Sequence, residues 1–75
     1  MQSVKNQLLS MSIGEFKDVV FSNGILKASK QIIRNSDTEW EVNSFTDGWI
    51  TAYLDLDTAI AYMEGRIKSY ELNWE

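Results

Sequence analysis

Two runs, Glu39–Phe45 and Trp49–Leu54, flank Thr46-Asp47-Gly48, and the turn between them decides which side chains share a face. Strand side chains alternate between faces, so a one-residue slip moves every side chain to the opposite side. A three-residue loop with Gly48 in the left-handed region is a common hairpin connection. It pairs Phe45 with Trp49, Val42 with Ala52 and Trp40 with Leu54. One face then reads Trp40, Val42, Ser44, Ile50, Ala52, Leu54, and the other Glu39, Glu41, Asn43, Phe45, Trp49, Thr51, Tyr53. A two-residue Asp47-Gly48 turn would mix acids with aliphatics on one face, so the three-residue loop is expected.

The flanking elements follow from periodicity. Leu56, Ile60, Met63, Ile67 and Tyr70 recur at helical spacing and predict a C-terminal helix. Asp55 is the expected N-cap, Asp57 suits the first turn, and Glu64 and Lys68 form an i,i+4 pair. Gly65 would weaken the middle of this helix by up to about 1 kcal/mol relative to alanine. Ile25–Arg34 reads as a strand, joined to the hairpin through Asn35-Ser36-Asp37. With Ile32 opposite Trp40, Leu26, Ala28 and Ile32 face the core, and Lys27, Ser29, Gln31 and Ile33 face outward. Lys30 then points inward, as a lysine guarding an edge strand against aggregation does.

The first 22 residues carry two signals. Ser12-Ile13-Gly14-Glu15 has capping-box spacing, with Ile13, Phe16 and Val20 at helical intervals and Asn23-Gly24 as a stop. Val4, Leu8 and Met11 form a short apolar patch before it. The expectation is an α+β fold over a single domain, residues 1–75. It has a helical N-terminus, a three-stranded antiparallel meander and a C-terminal helix packed on one sheet face. The alternative reads Val19-Val20-Phe21 as a strand and Asn23-Gly24 as a hairpin turn, giving a four-stranded antiparallel sheet with flanking helices.

Composition narrows function by exclusion. Cysteine and histidine are absent, which removes thiolate metal sites, cysteine nucleophiles, the usual zinc ligand and the usual neutral-pH base. Asp55-Leu56-Asp57 lacks the glycine and distal glutamate of an EF-hand loop. No nucleophile elbow, phosphate loop or metal cluster is present, so no enzymatic activity, metal or cofactor is expected. The lack of cysteine fits a cytoplasmic setting. Met1 to Ser12 has no apolar block of signal-peptide length, and no segment approaches the roughly 20 apolar residues of a membrane span.

The formal net charge is −4, unevenly placed. Asn35 to Gly65 holds seven carboxylates and no lysine or arginine, with Trp40, Phe45, Trp49, Tyr53 and Tyr62 interleaved. An acidic, aromatic surface suits a basic partner. The candidate partner-binding residues are Glu39, Glu41, Phe45, Trp49 and Tyr53, the acids steering association and the rings anchoring it. Asp37, Glu39 and Glu41 in an extended strand would stand roughly 6.5–7 Å apart, close to the repeat of phosphates on a nucleic acid; a plain solvated face explains them as well. The expected function is a small acidic, non-enzymatic protein that binds another protein. By size and charge it is of the kind phages and mobile elements use to inhibit a basic or nucleic-acid-binding surface. The alternatives are a homodimeric structural or scaffold protein, with the aromatic face as seam, and a nucleic-acid-binding module using the basic edge strand Lys27–Arg34. Nucleic acid is disfavoured because Glu39 and Glu41 repel phosphate.

Overall fold

The computed structural model describes residues 3–23, 26–45 and 48–75, with the backbone alone over 19–23 and 26–29. The order is helix α1 (Val4–Leu9), strands β1 (Phe16–Asn23), β2 (Leu26–Arg34), β3 (Trp40–Ser44) and β4 (Ile50–Leu54), and helix α2 (Leu56–Met63). A 3-10 turn follows at Ser69–Glu71. The strands form one antiparallel sheet in the order β1-β2-β3-β4. The fold is α+β with four strands, so the alternative topology holds and the three-stranded meander is corrected. The expected turn residue Gly24, the first strand residue Ile25 and the loop residues Thr46 and Asp47 lie outside the described residues. So do the expected facings of Leu26, Lys27, Ala28 and Ser29.

The β3–β4 register is the expected one: Trp40 opposes Leu54 and Val42 opposes Ala52, with Gly48 at φ +81°. That conformation costs a side-chain-bearing residue Cβ crowding that glycine avoids. The β2–β3 register differs by two residues. Ile32 opposes Val42, and Arg34 takes the place opposite Trp40. Two residues is one full alternation, so Ile32 still faces inward.

The N-terminal half departs most from expectation. The helix lies at Val4–Leu9, and residues 16–23 are strand. Ser3 caps α1, its hydroxyl accepting from the Asn6 N–H at 3.1 Å. The Ser12 and Glu15 signal is used as a turn: the Ser12 N–H donates to Glu15 Oε1, while the Glu15 N–H donates to the Ser12 carbonyl. Gly14 sits at φ +90°, which ends any helix there. Its N–H donates to the Arg34 carbonyl at 2.6 Å, and the Arg34 N–H to the Glu15 carbonyl, so the chain enters the ladder with β2. β2 is therefore an inner strand, and the reading of Lys30 as an edge guard is corrected. Lys30 does point inward and is buried.

The core lies on one sheet face. Ile32, Trp40, Val42, Ala52 and Leu54 from the sheet meet Leu8, Met11, Ala59, Tyr62 and Leu72. Burial pushes the Tyr62 phenol up from its ordinary value, partly offset by a hydrogen bond with Ser69. Asp55 caps α2 as expected, accepting from the Thr58 N–H at 2.8 Å. The helix stops earlier than the apolar stripe suggested. Gly65, at φ +77°, donates to the Tyr62 carbonyl and Arg66 donates to the Ala61 carbonyl, the paired bonds of a Schellman end. Gly65 is thus a terminator. Lys68 falls beyond the helix, and Glu64 pairs with Arg66 at 2.8 Å. The C-terminal residues run along β4: Ala52 bridges Trp74, and Thr51 and Glu75 exchange backbone hydrogen bonds.

Candidate functional site

The face of the sheet opposite the core can be read row by row from the register. The first row is Phe16, Ile33, Glu41, Tyr53; the second is Asp18, Gln31, Asn43, Thr51. Phe45 and Trp49 continue β3 and β4 beyond the second row. Phe16, Phe45, Trp49 and Tyr53 are all exposed, Trp49 at 69%. Large apolar side chains gathered in this way mark contact surfaces.

Phe45 and Trp49 meet edge to face, with centroids 4.7 Å apart and planes at 76°. That arrangement places a positive ring edge on a negative ring face. The polar row beneath them is closed by Thr51, whose hydroxyl donates to Asn43 Oδ1 at 2.6 Å. Asn43 is only 2% exposed, while Gln31 and Thr51 are half-buried and Asp18 is exposed, so a polar floor buried at Asn43 separates two apolar ends of this face.

The five expected site residues fall into two pairs and an outlier. Phe45 joins Trp49, and Glu41 stands directly opposite Tyr53. Glu39 is separate, ahead of β3 in the β2–β3 connection. Its carbonyl accepts from the Asn35 and Ser36 N–H groups, and its carboxylate accepts from Asn35 Nδ2 at 3.2 Å. Asp37 also lies in that connection, 4.0 Å from Arg34. The straight row of carboxylates expected from Asp37, Glu39 and Glu41 does not form, because only Glu41 is in the strand.

Phe16 and Ile33 join this site without being among the residues expected there. The sequence reading places Phe16 in a helix; it places Ile33 outward beside the acidic strand, as found, without joining it to the site. The signal that could have found them was the strand character of Val19-Val20-Phe21. Trp74 does not reach this face. It packs against the core cluster, its indole N–H donating to the Ser69 carbonyl at 2.7 Å.

The described cations of the sheet alternate to the other side. Lys17 opposes Ile32 and shares its face, as do Lys30 and Arg34. Arg34 is consumed by the fold: its guanidinium donates to the carbonyls of Leu9, Met11, Ser36 and Asp37. Lys30 and Arg34 therefore give β2 no exposed basic edge, and the side chain of Lys27 lies outside the described residues.

A cleft of about 280 Å³ opens between α1, α2 and the inner face, lined mainly by Val4, Leu8, Met11, Ile32 and Met63. Lys17 and Asp18 of β1 stand at its rim, with Lys17 on the inner-face side. Among the described residues no three potential ligands gather to hold a metal ion, and no helix is long and apolar enough to cross a membrane. No family model, curated protein or solved structure matches this chain.

Proposed function

We propose that this protein is a non-enzymatic binding module that docks another protein on the outer sheet face. The observation that carries the reading is the exposed edge-to-face pair Phe45 and Trp49 on the same face as Tyr53 and Phe16. Leaving such rings in water costs burial that a partner recovers, and rigid rings lose little entropy when covered. Glu41 supplies negative charge on that face, and the net charge of −4 favours encounter with a basic target. A basic or nucleic-acid-binding surface of a host protein is the target class, which would make the chain an inhibitor of phage or mobile-element type acting in the cytoplasm.

Affinity capture from the native host, with wild type beside Trp49→Ala, tests the proposal. A captured partner should bind the variant about 30-fold or more weakly, the scale of an aromatic hot spot. Salt and Glu41→Lys should act mainly by slowing association. A partner whose affinity ignored both substitutions would overturn the reading.

A further inference from the structure

Glu41 is half-buried at the centre of an otherwise apolar row, between Ile33 on β2 and Tyr53 on β4. Among the described residues it has no ion pair, and Lys17, Lys30 and Arg34 all alternate to the opposite face. Any partner that covers Phe16, Ile33 and Tyr53 also removes water from this carboxylate. A carboxylate desolvated without a partner cation weakens binding by orders of magnitude. The occupant must therefore bring a cation to this point.

That requirement separates the candidate occupants. Among the outer-face residues whose side chains are described, a second copy packed face to face would offer Asp18 and Glu41 as its charged groups, setting carboxylate against carboxylate. Ammonium and guanidinium then differ in how they meet the row. Directly opposed residues on neighbouring strands hold their Cβ atoms about 4.5–5.5 Å apart, so the Tyr53 and Glu41 side chains leave the sheet as neighbours on one face. A guanidinium can take the carboxylate through two parallel N–H bonds and lay its flat face on the ring; an ammonium pairs with the carboxylate as a point charge and has no planar face to stack.

We propose that Glu41 and Tyr53 form an arginine-recognition site, the partner's guanidinium pairing with the Glu41 carboxylate and stacking on Tyr53. The site rests on the docking role of this face and names the chemistry the partner must present there.

The test is a titration of the full chain, followed by backbone amide NMR, with N-acetyl-arginine amide, N-acetyl-lysine amide and the neutral N-acetyl-citrulline amide. The arginine amide should shift Glu41, Tyr53 and Ile33 saturably in the millimolar range. The lysine amide should bind about threefold or more weakly, and citrulline should give no saturable shift. Glu41→Gln should abolish the arginine response, and Tyr53→Leu should remove the preference over lysine while keeping charge attraction. Equal binding of arginine and lysine, shifts spread equally to Asp57 and Glu64, or a response surviving Glu41→Gln would each overturn the site. Should the arginine response fail while Trp49→Ala still loses a captured partner, this site falls and the docking role stands. Should the arginine response hold while the partner ignores Trp49→Ala, the docking role falls instead.

Discussion

The guanidinium of Arg34 lies over the Trp40 ring, 5.0 Å from its centroid. The two residues are directly opposed across β2 and β3, at the end of the ladder where α1 and the β2–β3 connection converge. Trp40 is fully buried, so the ring is a fixed platform for the cation. From there Arg34 reaches the carbonyls of Leu9 and Met11, each at 2.9 Å, which lie at and beyond the end of α1. A six-residue helix is marginal alone, and its last carbonyls need partners. Arg34 supplies them from the sheet.

Arg34→Ala should therefore destabilise the protein by about 2–4 kcal/mol, because four carbonyls, two of them part-buried, lose a charged donor at once. Arg34→Lys should recover little of this, since one ammonium cannot span four carbonyls in two segments. Urea unfolding of the two variants beside wild type measures both. A lysine variant as stable as wild type would show that charge alone, without the planar fork, holds α1 to the sheet.

Gly65 gives a prediction whose sign is informative. In the middle of a helix, glycine to alanine stabilises by about 1 kcal/mol. At φ +77°, past the end of α2, the same change should destabilise by about 1–2 kcal/mol. A Cβ there would meet no atom within 4 Å, so the cost is backbone strain alone. Gly65→Asn should fall between wild type and alanine. Thermal unfolding of the three proteins checks the order, and a more stable alanine variant would contradict the Schellman end.

The hairpin was legible because two independent signals agreed on it. Gly48 offered the positive φ, and the alternation of Trp40, Val42, Ala52 and Leu54 tolerated only one register. Asp55 was legible as a cap because its carboxylate acts within one turn of its own position. Phe45, Trp49 and Tyr53 could be placed on the outer face because their exposure follows from register. Ser12 and Glu15 misled for a physical reason: the same side-chain to backbone bond that opens a helix also closes a turn. What decided between them was the distant Arg34 backbone, which takes Gly14 and Glu15 into the ladder. Glu39 was misplaced likewise, since its bonds to Asn35 and Ser36 belong to a turn that strand alternation does not reveal.

The cap on α2 makes part of the stability depend on acid. Hydrogen bonds from Thr58, side chain and backbone, hold the Asp55 carboxyl below its ordinary 3.8. A group whose folded pKa is depressed stabilises above its unfolded value and loses that contribution as pH falls through the folded one. The cap should therefore be fully effective at neutral pH and be lost below 3.8. Asp55→Asn keeps an oxygen acceptor that does not titrate there, and Asp55→Ala should cost about 1 kcal/mol at neutral pH. Comparing wild type and Asp55→Asn between neutral pH and about pH 2 cancels the other carboxylates. The stability difference should move in favour of asparagine as acid is added. A difference that stays constant would show that the Asp55 charge plays no part in the cap.

Phe45 and Trp49 supply the last prediction, because a docking surface works best when it is ordered before the partner arrives. Their edge-to-face contact should couple the rings by about 0.5–1.5 kcal/mol in a double-mutant cycle of Phe45→Ala and Trp49→Ala. The rings are 41% and 69% exposed, so each single variant should remain folded and lose no more than about 1.5 kcal/mol. Phe45→Ala should then weaken a captured partner even though Trp49 is intact, since the indole loses the contact that fixes its orientation and must be ordered on binding. The NMR order parameter of the Trp49 indole N–H, resolved from those of Trp40 and Trp74, reads that freedom directly, and it should fall in Phe45→Ala. A vanishing coupling energy with an unchanged order parameter would show two rings that merely lie side by side, and the surface would owe its order to the Asn43 and Thr51 floor beneath them.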